Sequence, residues 1–243
     1  KKFMTENGKL TTHGMSMPNK PPATPLEQFK TTLAGDYQKQ VTNYFAGDKE
    51  KAMKFMSAVV HSVRKIPALL ECDKGSLLEA FMACAEYQLY PSQVSGEAYV
   101  LPYAGKAQFQ LGYQGLITLL YRAGVQAINT QIIYEKDEFR YEEGLDPVLI
   151  HKPDVMAKDR GNPVGVYAVA TVNGVKLFKV MSEAEIMKIK EFSKAKKTKF
   201  TPWNRENDPE LHMWRKSVIK QLSKVLPKND SFTEAVGRDN EES

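Results

Sequence analysis

The sequence is poor in the residues that most often announce chemistry. It has two cysteines, Cys72 and Cys84, too few for a disulfide scaffold in a chain of 243 residues. Both are read as free thiols. Its four histidines are scattered and, with the two cysteines, give no metal-ligand spacing. No run of eighteen apolar residues occurs, so no transmembrane helix is expected. The first 25 residues are polar, hold four prolines and lack the continuous apolar stretch of a secretory signal. A cytoplasmic location is the expectation.

Catalytic motifs are missing as well. Gly105-Lys106 has no glycine at the upstream spacing of a phosphate loop, and Ala107 stands where Ser or Thr would hold magnesium. There is no G-x-S-x-G elbow and no H-E-x-x-H pair. Pro153-Asp154 would suit the start of a nuclease-type carboxylate site, but no strand after it carries an acid, one residue and then Lys. Asp137, Glu138, Glu142 and Glu143 group on a turn, and a solvated turn is expected there in preference to a metal site. No catalytic residue, metal or cofactor is expected.

What the chain does have is enough apolar residue, 42%, to bury a core, and 26% charged residue to keep it soluble. The net charge of +5 points weakly to an anionic partner. Its distribution says more.

Hydrophobic periodicity divides the chain into three. Residues 1–30 read as a disordered arm, being polar, Pro-rich and aperiodic. From Thr31 to Pro91 the period is helical. Met56, Val59, Val60 and Val63 share a face until Pro67 stops it. Ser76 and Glu79 read as a capping box that opens a helix with the stripe Leu78, Phe81, Met82, Ala85 and Leu89. The period then changes to two. Glu97–Tyr103 and Lys106–Tyr113 read as a hairpin about Ala104-Gly105. A helix over Gln114–Arg122 follows, ended by Gly124. Ala127–Tyr134 is a strand, Phe139–Glu142 a shorter one, and Val164–Val172 returns through Asn173-Gly174 to Val175–Val180. Helices resume at a Ser182/Glu185 capping box and at Asp208-Pro209, taken as an N-cap and first helical residue. Leu211, Trp214, Val218, Leu222 and Val225 then line one face, with Lys216 and Lys220 opposite. Residues 229–243 read as a flexible acidic tail. The fold class is α+β: N-terminal helices, a central, mostly antiparallel sheet crossed by a helix, and C-terminal helices.

Two segments carry binding chemistry. Lys188–Phe200 holds six lysines and one glutamate, beside Phe192, Phe200 and Trp203. Lysines neutralise phosphates and release counterions, and aromatic faces stack on unpaired bases. The bland alternative is a solvated loop, with Trp203 a core residue. The hairpin offers Tyr103, Lys106, Gln108, Gln110 and Tyr113, whose amides and rings suit phosphates, sugars or base edges. Its bland alternative is an ordinary exposed sheet face.

The residues then become recognisable. Val63-Arg64-Lys65-Ile66-Pro67-Ala68-Leu69 is similar to the opening segment of the RecT family of phage and prophage recombination proteins. The run from Gly96 through Gly115, GEAYVLPYAGKAQFQLGYQG, resembles that family's central signature. The likeness continues at Tyr121-Arg122-Ala123-Gly124, Asp137-Glu138-Phe139, Gly144-Leu145-Asp146, His151-Lys152-Pro153 and Val166-Tyr167-Ala168. It resumes over Met181–Lys194 and Trp203–Pro227, spanning roughly Ala58 to Asn229. Three departures stand out. The family's paired lysines followed by Thr are Arg215-Lys216-Ser217 here. Tyr90 replaces a small or apolar residue. The far C-terminal tail lies outside the likeness.

The resemblance implies an ATP-independent protein, not an enzyme, that binds single-stranded DNA and anneals complementary strands in phage-type homologous recombination. A passive single-strand-binding protein and a metal-dependent nuclease are the alternatives. The partners implied are single-stranded DNA, the annealed duplex intermediate and further copies of the chain in a ring or helical filament. A 5′–3′ exonuclease and a host single-strand-binding protein complete the set, with no membrane. Residues 31–228 would form the annealing domain. The DNA-binding residues expected are Tyr103, Lys106, Gln108, Gln110, Tyr113, Arg122, Lys194, Lys196, Lys197, Lys199, Trp203, Arg215, Lys216 and Lys220. The Lys106–Tyr113 strand, the Lys194–Lys199 loop and the Arg215–Lys220 helix are expected to line one groove.

Overall fold

The computed structural model describes residues 22–193 and 201–242. The first helix, α1, spans Pro25–Thr32, inside the segment expected to be a disordered arm. Its start follows a local rule. Thr24 accepts from the Glu27 amide, Glu27 accepts from the Thr24 amide, and Pro25 takes the first helical position. A π-helical turn at Leu33–Tyr37 leads into α2, Gln38–Tyr44. Helix α3, Lys49–Lys65, is capped by Asp48 and buries Ala52, Phe55, Val59 and Val63 at helical spacing.

Helix α4, Lys74–Glu86, opens two residues before the expected capping box. Asp73 is the N-cap and accepts from the Ser76 amide at 2.8 Å. The Ser76 hydroxyl is used elsewhere, accepting from the Ala107 amide at 3.0 Å. That bond and the Asp73 N–H to Gly105 carbonyl bond (2.9 Å) fasten the next hairpin to the start of α4. Neither cysteine is in a disulfide, and both are buried.

The expected central sheet is three separate antiparallel sheets. β1 (Ala98–Tyr103) and β2 (Lys106–Leu111) form a hairpin, pairing Tyr103 with Lys106 and Ala98 with Leu111. Helix α5, Tyr113–Arg122, follows, and Gly124 takes the left-handed conformation after it. Gly112 and Gly115 sit hard against the chain at residues 96 and 97. A Cβ on either would overlap a backbone carbonyl oxygen, of Gly96 or of Glu97. β3 (Ala127–Tyr134), β6 (Pro163–Val172) and β7 (Val175–Ser182) make a three-stranded sheet in the order β3-β6-β7. β4 (Glu138–Glu142) pairs with β5 (Val148–Lys152). β5 has no counterpart among the expected strands, because five residues between two prolines offer too short a period to read.

Helix α6, Glu183–Phe192, has the expected Ser182/Glu185 capping box. Helix α7, His212–Leu222, begins three residues later than expected, so Pro209 is not its first residue. Leu211 stands before it in the left-handed region, and Asp208 caps from further back, accepting from the Met213 amide at 3.1 Å. Trp214, Val218, Ile219 and Leu222 are buried, and α7 packs across the three-stranded sheet and against α5. Val225 leaves the expected apolar face and is 68% exposed, because a 3-10 turn over Ser223–Val225 rotates it outward.

The acidic end is not a loose tail. Asp230–Glu242 is helix α8, which lies on β2 and α5 and buries Phe232, Ala235 and Asp239.

Candidate nucleic-acid interface

The hairpin alternates by rule. Ala107, Phe109 and Leu111 of β2 are buried toward α4 and α8, which leaves Lys106, Gln108 and Gln110 on the other face. Directly opposite them on β1 stand Tyr103, Leu101 and Tyr99. The outer face is therefore a ladder of three pairs: Tyr103 with Lys106, Leu101 with Gln108, Tyr99 with Gln110. It runs about 14 Å, at roughly 3.4 Å per residue.

The ladder leads to α7. Tyr99, Gln110, Tyr113, His212 and Lys216 line one open cleft, with Pro202 and Asp208. The Tyr113 and His212 rings are 5.1 Å apart, and His212 Nδ1 lies 2.6 Å from an Asp208 carboxylate oxygen. One turn along α7, a second cleft is lined by Phe192, Ser193, Trp203, Lys216, Lys220 and Asn240. Met213 and Lys216 line both, so the two clefts adjoin along α7 as a grooved face.

Lys194, Lys196, Lys197 and Lys199 lie outside the described residues. The chain on either side of them does reach the groove. Ser193 and Trp203 line the second cleft, and Pro202 the first. Among the candidates, Tyr103, Lys106, Gln108 and Gln110 share the outer hairpin face, and Gln110, Tyr113, Lys216 and Lys220 line the two clefts next to it.

Three candidates are placed differently. Arg122 donates to the carbonyl oxygens of Tyr87 (2.8 Å) and Gln88 (3.1 Å), satisfying the end of α4. Arg215 donates to the Thr130 carbonyl (2.8 Å), the Thr130 hydroxyl (3.0 Å) and the Glu210 carbonyl (3.1 Å), pinning α7 to β3. Their guanidiniums are engaged with the fold. Trp203 is 7% exposed and belongs to the core, the bland reading of that residue; its Nε1 has no acceptor among the described residues. The exposed ring beside the lysine segment is Phe192, at 88%. Sequence reasoning named it only as a flank and did not name Tyr99 or His212. Tyr99 was in reach, since it stands two residues from Leu101 on the same face. His212 gave no local signal.

A second charged cluster lies on the far sheet. Asp137, expected on a solvated turn, has a side chain only 1% exposed. It accepts from Arg160 Nε (2.9 Å) and Nη2 (2.6 Å), from His151 Nε2 (2.9 Å) and from the Tyr134 amide (2.9 Å). His151 Nδ1 lies 3.2 Å from Tyr167 Oη, and the Arg160 guanidinium covers the Tyr134 ring at 4.4 Å. Burial alone would raise the Asp137 carboxyl, but the bonds from Arg160, His151 and Tyr134 hold it well below the usual carboxylate range. The cluster joins the end of β3, the turn after it, β5, β6 and the segment before β6.

A groove of lysines, amides and rings offers contacts suited to a polyanion, while the second set of charges is closed on itself. Comparison with known proteins makes this specific. The sequence profile of the RecT family matches residues 53–243, and the chain belongs to that family of recombination and strand-annealing proteins. It is 33% identical over 202 residues to Protein RecT of Escherichia coli (strain K12), covering 79% of this chain and 72% of that protein. It is 28% identical over 149 residues to the uncharacterized protein YqaK of Bacillus subtilis (strain 168), covering 60% of this chain and 51% of that one. The family match runs through α8, beyond Asn229, where the likeness was read to end. Among the described residues no helix is long and apolar enough to cross a membrane.

Proposed function

We propose that this chain binds single-stranded DNA along the hairpin and α7 and anneals it to a complementary strand without nucleotide hydrolysis. The observation that carries the reading is the outer hairpin face of Tyr103, Lys106, Gln108 and Gln110, which leads at Gln110 into clefts lined by Tyr113, Lys216 and Lys220. Open clefts suit a strand that must keep its base edges free for a partner. Lysines and amides hold phosphate and sugar, which carry no sequence information, so the surface suits any sequence. Gly105-Lys106 is the end of a hairpin turn and the start of β2, not a phosphate loop, which agrees with a reaction driven by duplex formation alone.

Annealing also needs many binding units along one strand. The chain supplies surfaces for its own copies: the β4–β5 pair forms a sheet of its own, and Leu145, Val155, Met156 and Val175 are exposed. Self-association into a ring or filament, and action on single strands left by an exonuclease, complete the proposal.

The test is a pairing assay with labelled complementary oligonucleotides, without nucleotide. The expected result is faster pairing than by the oligonucleotides alone, with single-strand affinity falling steeply with salt. Protection of single strands without faster pairing would reduce the protein to a passive binder. Cleavage in the presence of magnesium would make it a nuclease.

A further inference from the structure

A carboxylate sits in the wall of the groove, against two of the lysines that line it. Asp239 of α8 is fully buried. Its Oδ1 accepts from the Leu111 amide (2.9 Å) and from Lys216 Nζ (2.9 Å), and its Oδ2 accepts from Lys220 Nζ (2.5 Å). Lys220 also donates to Asn240 Oδ1 at 2.8 Å. Two ammonium groups one helical turn apart and one outward-pointing backbone N–H are a phosphate-binding set. The Leu111 amide is available because residue 111 ends β2 on the edge away from β1.

The charge count is uneven. Two lysines meet one acid, so the site keeps an excess positive charge although both side chains are largely covered, at 12% and 22% exposure. Burial lowers the Lys216 ammonium from its ordinary value, against the pull of Asp239. The same two lysines hold the Asp239 carboxyl below the usual range, although burial would raise it.

The element that brings Asp239 is lightly attached. Beyond the lysine pairs, the described residues of α8 bury Phe232 and Ala235, half-bury Val236 and add one exposed pair, Arg238 with Glu79 at 3.4 Å, while Gly237 in its last turns weakens the helix. Asn240, next along the helix, lines the second cleft with Lys216, Lys220 and Trp203. Removing this end of α8 would open the groove beside a buried indole N–H that has no acceptor among the described residues.

We propose that Asp239 is a built-in competitor for the DNA backbone: in the free protein it fills a phosphate site made by Lys216, Lys220 and the Leu111 amide, and a bound single strand displaces it. The proposal rests on the reading of the groove as the single-strand site. It makes α8 a self-inhibitory latch that slackens when DNA supplies a phosphate, so binding reports itself as movement at the chain's acidic end.

The test uses the full chain, a fluorescent oligothymidine and two variants. Asp239→Asn keeps size and one acceptor oxygen but removes the competing charge. Glu234→Gln, an exposed position on the same helix, changes net charge equally without reaching the lysines. Asp239→Asn should bind the oligonucleotide roughly fivefold or more tightly, with a steeper salt dependence, and Glu234→Gln should match the wild type. Hydrogen exchange of the wild type supplies a readout independent of any variant's folding: α8 amides should exchange faster with oligothymidine bound. Unchanged or weaker binding by folded Asp239→Asn, or α8 amides that exchange no faster with DNA, would overturn the latch. A wild type that binds no single strand at all would overturn the groove reading itself.

Discussion

Asp137 and Asp239 both have side chains almost fully out of solvent, and they are surrounded in opposite ways. Asp137 meets one guanidinium, a histidine and a backbone amide, all from the far sheets, and every oxygen is engaged within a closed set. Asp239 meets two lysines that line an open groove, and charge of one sign is left over. The lesson is that burial of a charge does not by itself separate structure from function. The balance of the set and what lies beside it do. A balanced set far from the groove holds strands together. An unbalanced set in the wall of a groove is ready for another anion.

The sharpest way to break that contrast is to remove each acid in turn. Asp137→Ala leaves Arg160 without its carboxylate and should cost about 3–5 kcal/mol of stability in denaturant unfolding, as breaking a buried pair does. Single-strand affinity of the folded protein should not change. The pH dependence follows from the same residue. Its folded carboxyl lies below the unfolded value of about 3.9, so its stabilisation is present above about pH 4 and is lost as pH falls further. Acid titration of the wild type and Asp137→Ala should show that part of the acid loss only in the wild type.

Trp203 and Phe192 stand on the two sides of the contrast within one cleft. Trp203→Ala should cost about 3 kcal/mol of stability or more, because a core ring is removed. Phe192→Ala should leave the melting temperature unchanged and weaken single-strand binding by about 1–3 kcal/mol, the range for a base-stacking ring. The reverse pattern would mean that the buried indole, not the exposed phenyl, meets the bases. Lys106→Gln, at the far end of the ladder, should have the smallest effect: a uniform loss across sequences and a salt slope flatter by about 0.7, measured by fluorescence anisotropy over a salt series.

Much of the fold was legible because its signals are local. Ala104-Gly105 and Asn173-Gly174 turn both hairpins, each pair with positive φ, as a two-residue turn of this kind requires. The Ser182/Glu185 box opens α6 as read. Where local signals competed, the reading failed. Ser76 and Asp73 both suit an N-cap, and the hairpin's need for an acceptor at the Ala107 amide decided between them. Asp208-Pro209 suited a helix start, but the cap reaches over three residues instead.

The site was legible in its strand and illegible in its cations. Alternation placed Lys106, Gln108 and Gln110 on one face. Nothing local told Arg122, spent on the end of α4, from Lys106, which is exposed. The partner of the α7 lysines lies at the chain's acidic end, and the Leu111 amide bonds an acid 128 residues away. Polarity made that end look loose, since Phe232 and Ala235 are too few to set a readable period.

The central claim is that the single strand lies on the hairpin ladder and α7. Photo-cross-linking with an iodouracil-substituted oligonucleotide, read by peptide mass spectrometry, tests it most directly. The account predicts cross-links at Tyr103, Tyr113 and Phe192, suppressed by high salt. Cross-links confined to the far sheets, at Phe139, Tyr141 or Phe178, would contradict it.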